Sequence, residues 1–200
     1  MPREMLDFPP ALDTDMWRPL LEAADYPVHA TDSDDLLLKR LSAESAIRDV
    51  LIKYCYAYDA NDIDRLESVF RHDSVIINPR GTFRGLDSIR DNYLYLFSTR
   101  RYSFHHVTNI TVRVNREIDA AFIASYFTDK HVDHTGSIGG TDGTYIDKME
   151  KDNGVWSIVE RRISANIAFV LPSYPEPWPA PPMPSDKQST RYWFAKNFMR

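Results

Sequence analysis

Apolar side chains after Ser42 recur at Ile47, Val50, Leu51, Tyr54 and Tyr58, in the steps of three and four that line one face of a helix. Ser42 supplies an N-cap, and Glu44 puts a negative charge in the first turn, where the helix dipole favours it. Asn61 or Asp62 can cap a second short helix through Leu66, Val69 and Phe70, after which Val75, Ile76 and Ile77 read as a strand. Gly81 and Gly85 bracket a short extended piece from Thr82 to Arg84, and Leu86 to Phe97 forms a third helix with Ile89, Tyr93 and Leu96 along one side. From there the pattern predicts four strands, 102–114, 118–133, 143–151 and 154–169. Their turns are marked by Asn115 to Glu117, by the Gly136, Gly139, Gly140 loop and by Asp152, Asn153, Gly154. Long strands joined by short turns make an antiparallel meander, and helices gathered ahead of them give an α+β fold with helices on one face.

The chain divides into an N-terminal arm (1–41), a core (42–171) and a tail (172–200). In the arm, Trp17, Leu20 and Leu21 suit a short amphipathic helix, and the polar run Thr31 to Asp35 suits capping of the Leu36, Leu37, Leu38 stretch. Seven of the 13 prolines fall between Pro172 and Pro184, which excludes helix or central strand there and favours an extended crossing. Beyond it Tyr192, Trp193, Phe194 and Phe198 are too aromatic for a purely solvated end, so the tail is expected to dock on the core, where it can cap a cavity mouth, or on a neighbouring subunit.

Composition narrows the function. A hydrophobic content of 43% with 12% aromatics supports one generous core. The formal charge of −5 and the absence of a Lys/Arg run argue against nucleic acid or an anionic membrane as partner and leave small molecules. No apolar run approaches the roughly 20 residues of a membrane span, and Met1 to Pro10 lacks the basic-then-apolar order of a secretory signal, so a cytoplasmic protein is expected. The single cysteine, Cys55, sits inside a helix and reads as packing.

The candidate chemistry lies at the end of the first core helix and on the first long strand. Strict alternation from the apolar end of that strand puts Tyr102, Phe104, His106, Thr108, Ile110, Val112 and Val114 on one face, and turns His105 away with Ser103 and Asn109. Asp59 and His106, 47 residues apart, would then form a carboxylate–imidazole pair in an apolar pocket, an arrangement suited to moving protons without a cofactor. Taken alone, Asp59, Asp62 and Asp64 equally suit shaping a turn, and an inward histidine equally suits plain packing. A metal site drawn from His105, His106, His131, Asp133 and His134 is the lesser reading, and no metal is expected.

Between Ser42 and about Leu171 the strings IKYCYAYDANDIDRLESVF, GTFRG, FHHVTNIT and GTYIDKMEKDNGVWSIVERR resemble the SnoaL-like group of the nuclear transport factor 2-like superfamily. Its members include scytalone dehydratase, bile-acid 7α-dehydratase and hexachlorocyclohexane dehydrochlorinase. The resemblance implies a cone-shaped α+β barrel, a curved antiparallel sheet closed by N-terminal helices around an apolar cavity. It also implies a cofactor-free lyase of dehydratase type acting on a bulky, apolar, polycyclic or aromatic molecule, in a homotrimer or homodimer. By the same resemblance Asp59 and His106 are the dyad, Tyr54 or Tyr58 the working phenol and His131 a second histidine. Asp129, Asn78, Tyr145 and Phe104 are the substrate contacts. Arg161 and Arg162 lie near a basic residue found late in other members. An isomerase or cyclase using the same dyad, a non-catalytic ligand binder and a structural subunit of the dioxygenase β type share this architecture and stand as alternatives.

Overall fold

The computed structural model describes residues 18–25 and 32–171. The cavity-forming helix begins earlier than Ser42, because Ser33 takes the cap: its hydroxyl accepts from the Leu36 N–H at 3.4 Å, and Asp34 and Asp35 occupy the first turn. One uninterrupted helix, Asp34–Asp59, results, with Ser42 in its interior. It buries Arg40, Ala43, Ile47, Leu51, Tyr54, Cys55, Ala57 and Tyr58 on one stripe. At its end Asn61 turns into the left-handed region (φ 52°), and the Asp62 side chain accepts from the Arg65 N–H to start a short helix, Ile63–Glu67.

Taken with the arm helix Arg18–Asp25 (α1), which packs against the third and fourth strands, these are α2 and α3, and Leu86–Thr99 is α4. The strands are β1 Phe70–Asn78, β2 Gly81–Arg84, β3 Arg100–Val114, β4 Ala120–Asp133, β5 Ile138–Asp152 and β6 Val155–Leu171. They form one curved, unclosed sheet in the order β2-β1-β6-β5-β4-β3. The expected meander is β3 to β6, antiparallel throughout. The sheet as a whole is mixed rather than antiparallel, because β1 lies parallel to β6. Helices α2, α3 and α4 pack on its inner face, and Ile47, Leu51, Leu66, Ile76, Ile89, Ile123, Met149 and Ile158 are sealed between the layers. Trp17, the Pro172–Pro184 run and the aromatic tail with its proposed place at the cavity mouth lie outside the described residues.

Strict alternation fails on β3. Its register against β4 shifts between Thr108 and Thr111, with Asn109 at φ 51°. This is a β-bulge: one extra residue reverses which side chains face inward on either side of it. After the bulge Ile110, Val112 and Val114 face the core as expected, whereas before it Ser103, His105 and Val107 do. Tyr102, Phe104 and His106 therefore lie on the outer face, with Phe104 63% exposed. Among the described residues, no helix is long and apolar enough to cross a membrane.

Candidate active site

Asp59, at the C-terminal end of α2, meets β3 at its inward histidine. The imidazole Nδ1 of His105 lies 2.7 Å from Asp59 Oδ1, and the backbone N–H of His105 donates to Oδ2 at 2.9 Å. Since a carboxylate only accepts, Nδ1 carries a proton, and in the neutral ring Nε2 keeps its lone pair. The expected partner, His106, points out of the sheet, so the Asp59–His106 pair is corrected to Asp59–His105. Phe104, expected to touch substrate, is on that same outer face and is corrected with it.

His105 Nε2 faces a second carboxylate, Asp129 on β4, with 3.9 Å between Nε2 and Oδ1. The other oxygen of Asp129 is doubly held, accepting from Arg100 at 2.9 Å and from His131 Nδ1 at 3.0 Å. Burial opposes the charge on Asp129, but the hydrogen bond from His131 and the nearby Arg100, His105 and His131 outweigh it and hold the carboxyl below its usual range. Asp129 Oδ1 is buried with no hydrogen-bond partner, so an acceptor stands ready beside the imidazole. Arg100 also donates to Tyr58 Oη at 2.9 Å, leaving that phenol its own O–H to offer. Burial raises the Tyr58 phenol well above its ordinary range, with Arg100 only partly offsetting it. Tyr54, which shares a 3.1 Å hydrogen bond with Tyr93, is likewise raised by burial. Both are neutral donors at physiological pH, not phenolates.

These groups open on a cavity of ≈ 180 Å³. Of the expected site residues Tyr54, Tyr58, Asn78, Asp129 and Tyr145 line it, as does His105, while His131 reaches it through Asp129. An engineered apolar cavity of about 150 Å³ holds benzene, so this one has room for about one ring, and a polycyclic molecule would extend through the mouth. Two glycines on β5 sit where a side chain would clash with residues around the site. A Cβ on Gly139 would stand 2.6 Å from His131 Nε2, and one on Gly143 would collide with the Ser164 carbonyl and stand 2.6 Å from the Phe127 ring; Phe127 in turn stacks on Tyr145 with ring centres 4.2 Å apart.

Behind the wall, Arg161 on β6 and Asp147 on β5 form a bidentate pair, both contacts 2.8 Å and both side chains fully buried. The guanidinium lies 4.0 Å from the Tyr54 ring centre and 4.4 Å from that of Tyr145. It supports two cavity phenols from behind without lining the cavity itself. Cys55 is buried, and burial pushes its thiol up to about 11, consistent with packing. Among the described residues no three His, Cys, Asp or Glu side chains gather as a metal-binding group. Alternation misassigned His105, and Arg100, Tyr93 and Asp147 carry no motif; the bulge was signalled only by Asn109, a residue that strands disfavour and the left-handed region tolerates.

Comparison with known proteins places this geometry in context. A search of curated proteins gave no significant match. Among solved structures, the chain is similar to hexachlorocyclohexane dehydrochlorinase LinA-type3 from Novosphingobium barchaimii LL02, at 20% identity and TM-score 0.63 over 70% of this chain and 99% of that one. A scytalone dehydratase candidate from Novosphingobium aromaticivorans DSM 12444 matches at 21% identity and TM-score 0.61 over 74% and 98%. A nuclear transport factor 2-like superfamily protein from Salmonella enterica serovar Typhimurium LT2 matches at 21% identity and TM-score 0.60 over 64% and 94%. At these identities the likeness establishes the fold, the nuclear transport factor 2-like α+β cone. The SnoaL-like domain matches residues 39–162, well over half of the chain, and the protein belongs to the SnoaL-like family.

Proposed function

We propose that the protein is a cofactor-independent lyase of dehydratase type, with His105 as the base and Asp59 as the group that orients it. The observation that carries this reading is the 2.7 Å Asp59–His105 contact in the wall of a ≈ 180 Å³ cavity, with the second imidazole nitrogen turned to Asp129 and the cavity interior. The substrate is a β-hydroxy carbonyl compound, aromatic or alicyclic, with one ring inside the cavity. His105 Nε2 takes the proton from the carbon beside the carbonyl, and the C–H electron pair passes into an enolate. The Tyr58 O–H, left free by Arg100, donates to the enolate oxygen. The enolate then collapses to a C=C bond as the C–O bond to the β-hydroxyl breaks, and the departing oxygen leaves as water with the proton carried by His105. Asp59 keeps the imidazole in one tautomer and shares its charge while it is protonated.

Asp59→Asn and His105→Ala, assayed as folded proteins on a panel of β-hydroxy carbonyl compounds, should each lose on the order of 10² to 10⁴ in turnover. Unchanged turnover in both would reject the assigned roles. The protein works as a homo-oligomer, dimer or trimer, a reading supported by Tyr102, Phe104 and Ile167 exposed on the outer sheet surface. A monomer by light scattering at micromolar concentration would overturn that part.

A further inference from the structure

Among the described residues the cavity has one cation whose charge no carboxylate answers. Among its lining residues Arg100 is paired with Asp129. Arg80 also lines it, yet forms no ion pair among the described residues. Its position is well defined. Arg80 sits in the tight turn between β1 and β2, its N–H donating to Asn78 Oδ1 at 2.8 Å. Its guanidinium lies over Tyr95, 3.9 Å from the ring centre, and one Nη donates to Asn92 Oδ1 at 3.2 Å and to the Asn92 carbonyl at 3.4 Å. The remaining N–H groups of the fork have no acceptor among the described residues. Stacking on an aromatic face plus the two hydrogen bonds to Asn92 fixes the plane of the fork, so little rotamer freedom remains to be lost on binding an anion.

The sheet order sets the direction. β2 and β1 lie at one edge and β4 and β3 at the other, so Arg80 and the Asp59–His105–Asp129 cluster come to the cavity from different edges of the sheet. The carboxylates are all on the His105 side and already engaged, Asp59 by His105 and Asp129 by Arg100 and His131. The space between is walled by Leu96, Phe127, Tyr145 and Ile163 and holds about one ring.

We infer that the cavity takes a monocyclic carboxylic acid or similarly small organic anion, its carboxylate on the Arg80 fork and its ring against Phe127 and Tyr145, with the far end presented to His105. This reverses the preference for neutral ligands that the net negative charge of the chain suggests, because the local field of an unpaired arginine outweighs a diffuse surface charge at contact distance. The inference deepens the lyase reading by naming a substrate class for the same cavity. Its test measures binding alone, so it can fail while the dyad stands, or hold while the dyad fails.

The experiment is a ligand-observed NMR titration of the full chain with benzoate and with benzamide, a neutral molecule of nearly the same shape. Benzoate should bind about five- to tenfold more tightly, a preference that shrinks as salt is raised. Arg80→Gln should abolish the preference while leaving benzamide affinity within about twofold, which also reports that the variant is folded. Arg80→Lys should retain part of it, since the charge stays but the planar fork is lost. Equal affinity for the two probes in the wild type, a preference that survives Arg80→Gln, or no binding of either probe at tens of millimolar would overturn the inference.

Discussion

Two buried charge clusters lie within a few side chains of each other, and they differ in where their unused groups lie. In Asp147–Arg161 each carboxylate oxygen has its own guanidinium partner, the cation lies against the rings of Tyr54 and Tyr145, and the one unpartnered guanidinium nitrogen, Nη1, is buried away from the cavity lining. In Asp59–His105–Asp129 one imidazole nitrogen and one carboxylate oxygen remain unused, 3.9 Å apart. The first cluster stabilises a wall; the second has spare valence beside a cavity. Burial of charge alone therefore does not mark a reactive site, and it is the unspent donor or acceptor facing open space that separates the two.

The contrast can be broken most forcefully at the closed pair. Asp147→Ala should cost about 3–5 kcal/mol of stability by stranding the Arg161 charge, measured by urea denaturation. Replacing both partners with apolar residues, Asp147→Leu with Arg161→Met, should recover much of that loss, and a double variant as unstable as the single one would show that the pair itself holds the fold. At the open cluster the balance reverses: His105→Ala, which removes turnover in the proposed mechanism, should move the denaturation midpoint far less than Asp147→Ala does.

Asp129 sharpens the comparison through pH. Its carboxyl is held below the usual range in the folded protein, so it adds stability above its unfolded value of about 3.9, and that stability is lost as pH falls through the lower folded value. Wild type should therefore exceed Asp129→Asn in stability at pH 7, with the gap closing below about pH 4. A gap that stays constant to pH 2.5 would mean that the ionised form is not what stabilises the fold. The smallest effect is expected at His106→Ala, which should leave turnover within about twofold and stability within about 0.5 kcal/mol, as befits an exposed strand position. A large loss there would put the wrong imidazole in the pair.

How much of this was legible in the chain follows from how local each signal is. The meander, the α4 helix and the inward Tyr54, Tyr58 and Asp59 were readable because alternation, helical spacing and turn residues act over a few neighbours. The parallel pairing of β1 with β6 was not, since it joins segments some 85 residues apart (Ile76 with Arg161) and no local pattern encodes the choice of partner. The helix start was misread because two serines, Ser33 and Ser42, both suit a cap, and the long-range packing of Arg40 onto the Val114 and Asn115 carbonyls, which favours the longer helix, is not a local signal. His105 was missed for a different reason. The apolar residues that set the phase of β3 lie after Asn109 and the histidines lie before it, so the phase carried back across the bulge was wrong by one.

The bulge also bears on how robust the site is to change. An insertion or deletion in the short stretch around Asn109 would shift the strand by a single step and swap the neighbour presented to Asp59. With histidine at both 105 and 106, either alignment still offers an imidazole to the same carboxylate. The doublet thus acts as a spare part, so a one-step slip of the strand would not empty the position on which the proposed proton transfer depends.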